Sequence, residues 1–192
     1  MKTGAVLMAS GAAHRFGSNK LLHEVDGVPM IQRTMRAVPN RLFDRAVVVS
    51  VYPEILSLAE QNGYLPIPNP SAAEGQSASI RLGLSALKDM DGVLFAVCDQ
   101  PWLKQESVIR LLKEYSENPD CICALGWQGR RGNPVIFPKV FFPDLLSLSG
   151  DQRGSAIIRD HKELLRIVEA ASSLELYDVD TPENLNIHSQ PL

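Results

Sequence analysis

Three segments of the chain are almost continuously apolar and rich in β-branched residues: AVLMA at 5–9, AVVVSV at 46–51 and VLFAV at 93–97. A strand with one wet face alternates polar and apolar residues. A strand without that alternation is covered on both faces, as in a parallel sheet. Between these runs the apolar period changes to that of a helix. Ile31, Thr34, Met35 and Val38 follow an i, i+3, i+4, i+7 pattern; Ile80, Leu84 and Leu87 share one helical face, as do Val108, Leu111, Leu112 and Tyr115. Pro53 is placed to start a short helix over 53–62, and Gly63 to end it. This alternation predicts a three-layer α/β/α fold with right-handed crossovers.

The later part is less regular. CICALG and NPVIF read as strands, with GWQGRRG as the turn between them; DLLSL and GSAIIRDH read as helices. LLRIVEA and LELYDVD suggest two more strands, and TPENL a last short helix starting at Pro182. No repeat, low-complexity tract or linker interrupts the sequence, and its 192 residues suit one domain, 1–192.

Composition narrows the partners. The net charge of −3 leaves no strongly basic face, so a nucleic-acid polymer is not expected, although a local pair such as Arg15 and Lys20 can still hold a small anion. The apolar run near the N-terminus is too short for a signal peptide, and nothing reaches the length of a membrane span. An odd number of cysteines, Cys98, Cys121 and Cys123, fits a reducing cytoplasm and structural thiols; a soft-metal or redox role is the lesser alternative, since C-x-x-C spacing and partner histidines are missing. A soluble cytoplasmic protein without a membrane partner is therefore expected.

In open α/β sheets ligands sit beyond the carboxyl ends of the strands. After the first strand comes SGAAHRFGSNK, with Gly11, five residues, Gly17, two residues and Lys20. That spacing is neither the P-loop nor the dinucleotide fingerprint. Small residues still let backbone N–H groups approach an anion, and Arg15 offers a planar fork and Lys20 a point charge for phosphate oxygens. After VLFAV comes Cys98-Asp99-Gln100-Pro101. A carboxylate there is placed to hold Mg²⁺, which takes few protein carboxylates, or simply to cap a turn.

Four further segments are candidates. Gly75, Ser77 and Ser79 lie at a helix entry whose free N–H groups suit an anion or a base edge; N-capping by Ser77 is the plainer role. Arg130, Arg131, Asn133 and Pro134 precede a strand, and Gly150, Asp151 and Gly154 precede a helix. Both segments could contact a second, anionic substrate or serve only as turns and caps. Asp178 and Asp180 share a face if their segment is a strand, and one could complete a metal site with Asp99. The four histidines show no metal-ligand spacing, and no nucleophile elbow is evident.

Taken in order, LMASGAAHRFGSNK, VCDQP, RGNP, SGDQRG and DVDTPE resemble the motifs of the molybdenum cofactor cytidylyltransferase family, within the nucleotide-diphospho-sugar transferase group, over nearly the whole chain. The resemblance implies a Rossmann-like fold with a mostly parallel mixed sheet. It implies that Arg15 and Lys20 bind the triphosphate and that Asp99, with Asp180, holds Mg²⁺ or Mn²⁺. Ala9, Ser10, Gly11, Gly75, Ser77 and Ser79 would face the base and ribose; Asn133, Gly150 and Asp151 would lie near the pterin phosphate. Guanylyl-transferring members tend to carry L-A-G-G and G-P-L-A-G, whereas MASG and GQSAS here are closer to the cytidylyl pattern, with Ser10 in place of the usual Ala.

The implied reaction is attack of the molybdopterin phosphate on the α-phosphorus of CTP, with pyrophosphate leaving. Electrostatics and alignment lower the barrier to bringing two anions together. The phosphate nucleophile is already ionised at neutral pH, so no general base is required. Two alternatives stay open. One is transfer from GTP or to another phosphate; the other is a non-catalytic carrier that delivers the cofactor to a molybdenum hydroxylase apoenzyme.

Overall fold

The computed structural model describes residues 1–11, 19–181 and 183–184. The first apolar run forms β1 (Thr3–Met8), followed by a small hairpin, β2 (Glu24–Val25) and β3 (Val28–Pro29), and by α1 (Met30–Ala37). Then come β4 (Arg45–Ser50), α2 (Pro53–Gln61), β5 (Leu65–Pro68), α3 (Gln76–Ser85), β6 (Gly92–Val97) and α4 (Gln105–Glu117). The chain continues through β7 (Ile122–Trp127), β8 (Arg130–Pro138), α5 (Phe142–Ser147), α6 (Ser155–Asp160) and β9 (Leu165–Glu169).

Seven strands form one sheet in the order β5-β4-β1-β6-β8-β7-β9. All neighbours are parallel except β8, which is antiparallel to both β6 and β7. The expected mostly parallel mixed sheet is therefore observed. Successive residues of β1 point to opposite faces, as the strand pleat requires. Ala5 and Leu7 join a core with Ile31, Ile55, Val108 and Leu111, from α1, α2 and α4. Val6 joins a second core on the other face with Ile80, Leu84, Leu145 and Ile157, from α3, α5 and α6. Two cores, one on each face, account for the continuous hydrophobicity of β1, β4 and β6. Gly83 lets α3 sit close to β1, since a Cβ there would lie 2.5 Å from Val6 Cγ1.

Two elements went unread in the sequence and one was misread. The prolines of β5 (LPIP) discount a strand, but β5 is the sheet edge and pairs on one side only, where proline is tolerated. The β2–β3 hairpin turns on Asp26 and Gly27, both at positive φ (49° and 73°), as a two-residue primed turn needs. LELYDVD is not a strand. Ser173–Leu176 forms a 3₁₀ turn, because the carboxylate of the fully buried Glu175 accepts hydrogen bonds from Ala171 N–H (2.7 Å) and Lys104 N–H (3.0 Å). Residues 177–180 then form no regular element and pass the end of β6, with Val179 N–H donating to Asp99 O at 2.9 Å. Of the expected terminal helix, Thr181 and Asn184 form a turn (Asn184 N–H to Thr181 O, 3.1 Å), while Pro182 lies outside the described residues. Among the described residues no helix is long and apolar enough to cross a membrane.

Candidate active site

The carboxyl ends of β1, β4, β5 and β6 lie at one end of the sheet, and antiparallel β8 enters from that same end. A cleft of about 860 Å³ opens there. Its walls include Ser10 and Gly11 after β1, Lys20, Asp99 after β6, Gly75 and Ser79 at the start of α3, Arg131 and Asn133 in β8, Asp151, Arg153, Asp178 and Asp180. Segments separated by up to 170 residues of sequence thus converge on one cavity.

Its charged centre is built around Lys20. A short 3₁₀ turn, Lys20–Leu22, starts there, capped by Asn19 Oδ1 accepting from Leu21 N–H at 3.1 Å. The buried Lys20 ammonium donates to Asp99 Oδ2 at 2.9 Å and to Val179 O at 3.2 Å, and lies 3.7 Å from Asp180 Oδ1. Asp178 stands beside this group, held by Gln100 Nε2 at 2.8 Å; the same amide donates to Leu176 O at 3.1 Å. Burial and then the negative charge of Asp99 push the Asp178 carboxyl above the usual carboxylate range, with the Gln100 hydrogen bond opposing the rise.

Asp99 Oδ1 is buried and has no hydrogen-bond partner among the described residues. An orphaned carboxylate oxygen beside a second carboxylate, Asp180, is a hard-oxygen donor set of the kind a divalent cation uses. Among the described residues no group of three or more His, Cys, Asp or Glu side chains is arranged to hold a metal. The two carboxylates alone fit Mg²⁺ or Mn²⁺ only as partial ligands, completed by water and phosphate oxygens, which is how Mg²⁺ is commonly bound.

Beside the charged centre the wall is neutral. Asn69, buried at the end of β5, uses both hydrogens of its amide, donating to Ser10 Oγ and to Ser79 Oγ, each at 3.1 Å. Ser10 Oγ in turn donates to Val49 O at 3.1 Å. Ala72 and Ala73 line this part of the cleft too.

A third region carries Arg131 and Arg153, whose side chains make no hydrogen bond or ion pair among the described residues.

A model of the MobA-like NTP transferase domain matches residues 5–165, which run from the third residue of β1 to the first of β9 and include most of this cleft. The chain belongs to the MobA-like NTP transferase domain family. It is a nucleotidyltransferase by that membership. One relative, the purine catabolism protein PucB of Bacillus subtilis, is 25% identical over 95% of this chain and 93% of its own. Another, a probable molybdenum cofactor guanylyltransferase of Nostoc sp., is 25% identical over 95% of this chain and 88% of its own. A nucleotidyl transferase of Methanothermobacter has the same fold, with a TM-score of 0.80 at 22% identity over 95% of this chain and 94% of its own. So does Rv0371c of Mycobacterium tuberculosis, solved in complex with manganese, at a TM-score of 0.71 and 17% identity over 96% of each chain.

In this MobA-like domain the residues singled out from sequence divide into three groups. Ser10, Gly11, Lys20, Gly75, Ser79, Asp99, Asn133, Asp151 and Asp180 all line the cleft. Ala9, Ser77 and Gly150 do not. Ala9 is buried, its N–H donating to Val49 O and its carbonyl accepting from Ser50 Oγ. Ser77 is likewise buried, because its hydroxyl donates to Gly150 O at 2.7 Å and accepts from Arg81 Nη1 at 3.1 Å. Ser77 and Arg81, whose Nη1 also donates to Leu148 O at 2.6 Å, thus tie α3 to the 148–151 loop. Arg15 and its neighbour His14 lie outside the described residues.

Gly75 is required by geometry, with φ at +98° and space for a Cβ only 2.5 Å from Asp151 Oδ1. The sequence reading missed Asn69, Gln100, Arg153 and Glu175. Asn69 directly follows β5, so the rule that selected Ser10 and Asp99 applies to it once LPIP is accepted as a strand.

Proposed function

We propose that the chain transfers CMP from CTP to the phosphate of the molybdenum-molybdopterin cofactor, releasing pyrophosphate and forming the cytosine dinucleotide cofactor. The observation that carries this reading is the division of one cleft into three chemistries. Lys20 with Asp99 and Asp180 suits a metal-bound triphosphate; the neutral wall of Ser10, Ser79, Ala72 and Ala73 suits a base; the unpaired Arg131 and Arg153 suit a second phosphate. Relatives carry the guanylyl name, as does the Nostoc protein. What supports cytosine is the chain's own MASG and GQSAS.

In this reading Lys20 balances charge on the phosphates and Asp99 and Asp180 hold the divalent cation. That cation, Mg²⁺ or Mn²⁺, neutralises phosphate oxygens when bound. Arg131 and Arg153 orient the acceptor phosphate, whose ionised oxygen forms the new bond to the α-phosphorus as the bond to pyrophosphate breaks. Asn133 and Asp151 border the acceptor.

Label placement tests the reading. With the molybdenum cofactor as acceptor, label in the α-phosphate of CTP should appear in the dinucleotide product, and label in the γ-phosphate in pyrophosphate. Release of α-label as free CMP, with none in the cofactor, would contradict transfer.

A further inference from the structure

Asn69 does not line the cleft, yet it fixes two hydroxyls that do. Its amide orientation is decided by its third contact: Oδ1 accepts from Ser71 N–H at 3.1 Å, and a backbone N–H can only donate. Both Nδ2 hydrogens must therefore point at Ser10 Oγ and Ser79 Oγ, and each serine oxygen must accept. Ser10 has also spent its own proton on Val49 O, which leaves it only an acceptor lone pair for the cleft. Ser79 donates to no described residue, so its proton remains free.

We propose that Asn69 is the positioning residue for base selection, making Ser10 a fixed acceptor and Ser79 an available donor toward the nucleotide base. This rests on the CTP reading above. Along its pairing edge cytosine presents an amino donor at C4 and an acceptor at N3, which complements Ser10 followed by Ser79. Uracil presents the reverse, an acceptor at C4 and a donor at N3. The neutral wall around the two serines fits an uncharged base better than phosphates. The asparagine is buried, so water cannot replace its two hydrogen bonds, and the polarity is held before any ligand arrives.

Three substitutions act on this device differently. Asn69→Asp keeps the shape but supplies no N–H, so both hydroxyls turn their protons toward the carboxylate and Ser79 loses its donor. Ser10→Ala removes the acceptor and Ser79→Ala the donor. Affinities for CTP, UTP, GTP and inorganic tripolyphosphate, measured by calorimetry with Mg²⁺ and no acceptor, separate base contacts from phosphate contacts.

Each variant should weaken CTP by about tenfold, the scale of one lost hydrogen bond, while leaving tripolyphosphate unchanged. The CTP-to-UTP preference should shrink by a similar factor. Equal losses for CTP and tripolyphosphate, or an unaltered CTP-to-UTP ratio, overturn the proposal. If Asn69→Asp fails to fold, the two serine variants carry the test. Wild-type preference for GTP over CTP would overturn the cytidylyl reading instead. The role of Asn69 would then stand or fall on whether the variants lose GTP relative to tripolyphosphate.

Discussion

The Lys20 ammonium sits 2.9 Å from Asp99 Oδ2 and 3.7 Å from Asp180 Oδ1, so one cation bridges the two carboxylates assigned here to the metal. The lysine holds together like charges that would otherwise repel across the mouth of β6. In the proposed reaction the same ammonium would also balance charge on the triphosphate. Lys20→Met keeps most of the buried stem and removes the charge. It should lower kcat/KM for the nucleotide by roughly 2–4 kcal/mol, comparable to removal of one oxyanion-type donor. Pyrophosphate release over a range of CTP concentrations measures this, and unchanged CTP kinetics would remove Lys20 from the proposed machinery.

Asp99 has one oxygen on Lys20 and the other buried without a partner. Asp99→Asn preserves volume and can still accept from Lys20. It should abolish transfer, by about a thousandfold or more on the scale of lost transition-state electrostatics, with circular dichroism and melting close to wild type. Near-normal activity with Mg²⁺ in that variant would refute the metal assignment.

Glu175 is fully buried and accepts from two backbone N–H groups, one in the 171 turn and one at the entry to α4. It thereby sets the course of the segment that delivers Asp178 and Asp180. Glu175→Ala strands both donors and should cost about 3 kcal/mol of stability, read by urea unfolding. Glu175→Gln, which keeps one acceptor, should lose less.

Burial pushes the Cys123 thiol up to about 12 and the Cys98 thiol higher still, with the Asp99 charge adding to the rise at Cys98. A raised thiol pKa means a protonated, unreactive sulfur throughout pH 7–9. Cys121 is only half-buried. Iodoacetamide at pH 8 should therefore modify the native protein once, at Cys121, and three times in urea, as counted by intact mass. Rapid native labelling of Cys98 would contradict the packing around β6.

The central fold was legible because burial on both faces erases alternation, which marks β1, β4 and β6 directly in the sequence. Pro66 and Pro68 hid β5, since proline argues against a strand everywhere except at an edge, and edge status is a property of the whole sheet. LELYDVD alternates like a strand, but a buried carboxylate in search of N–H donors bent it into a turn, which no periodicity records.

At the site, the rule that ligands gather at strand ends found Ser10, Lys20 and Asp99. It also selected Ser77 by its place at a helix start. Yet the residue four positions on, Arg81, engages that hydroxyl and holds it inside. Asn69 remained unread because the prolines hid β5, the strand it follows; which way its amide faces, decided by Ser71 N–H, no strand-end rule records.

Pyrophosphate release in the presence of the molybdenum-molybdopterin cofactor, compared among CTP, GTP and ATP at equal concentration with Mg²⁺, tests the proposed activity most directly. Cofactor-dependent release that is fastest with CTP, by about tenfold or more over GTP, is the expected result. Release that prefers GTP would contradict the cytidylyl assignment, and no cofactor-dependent release with any of the three would contradict transfer to this acceptor.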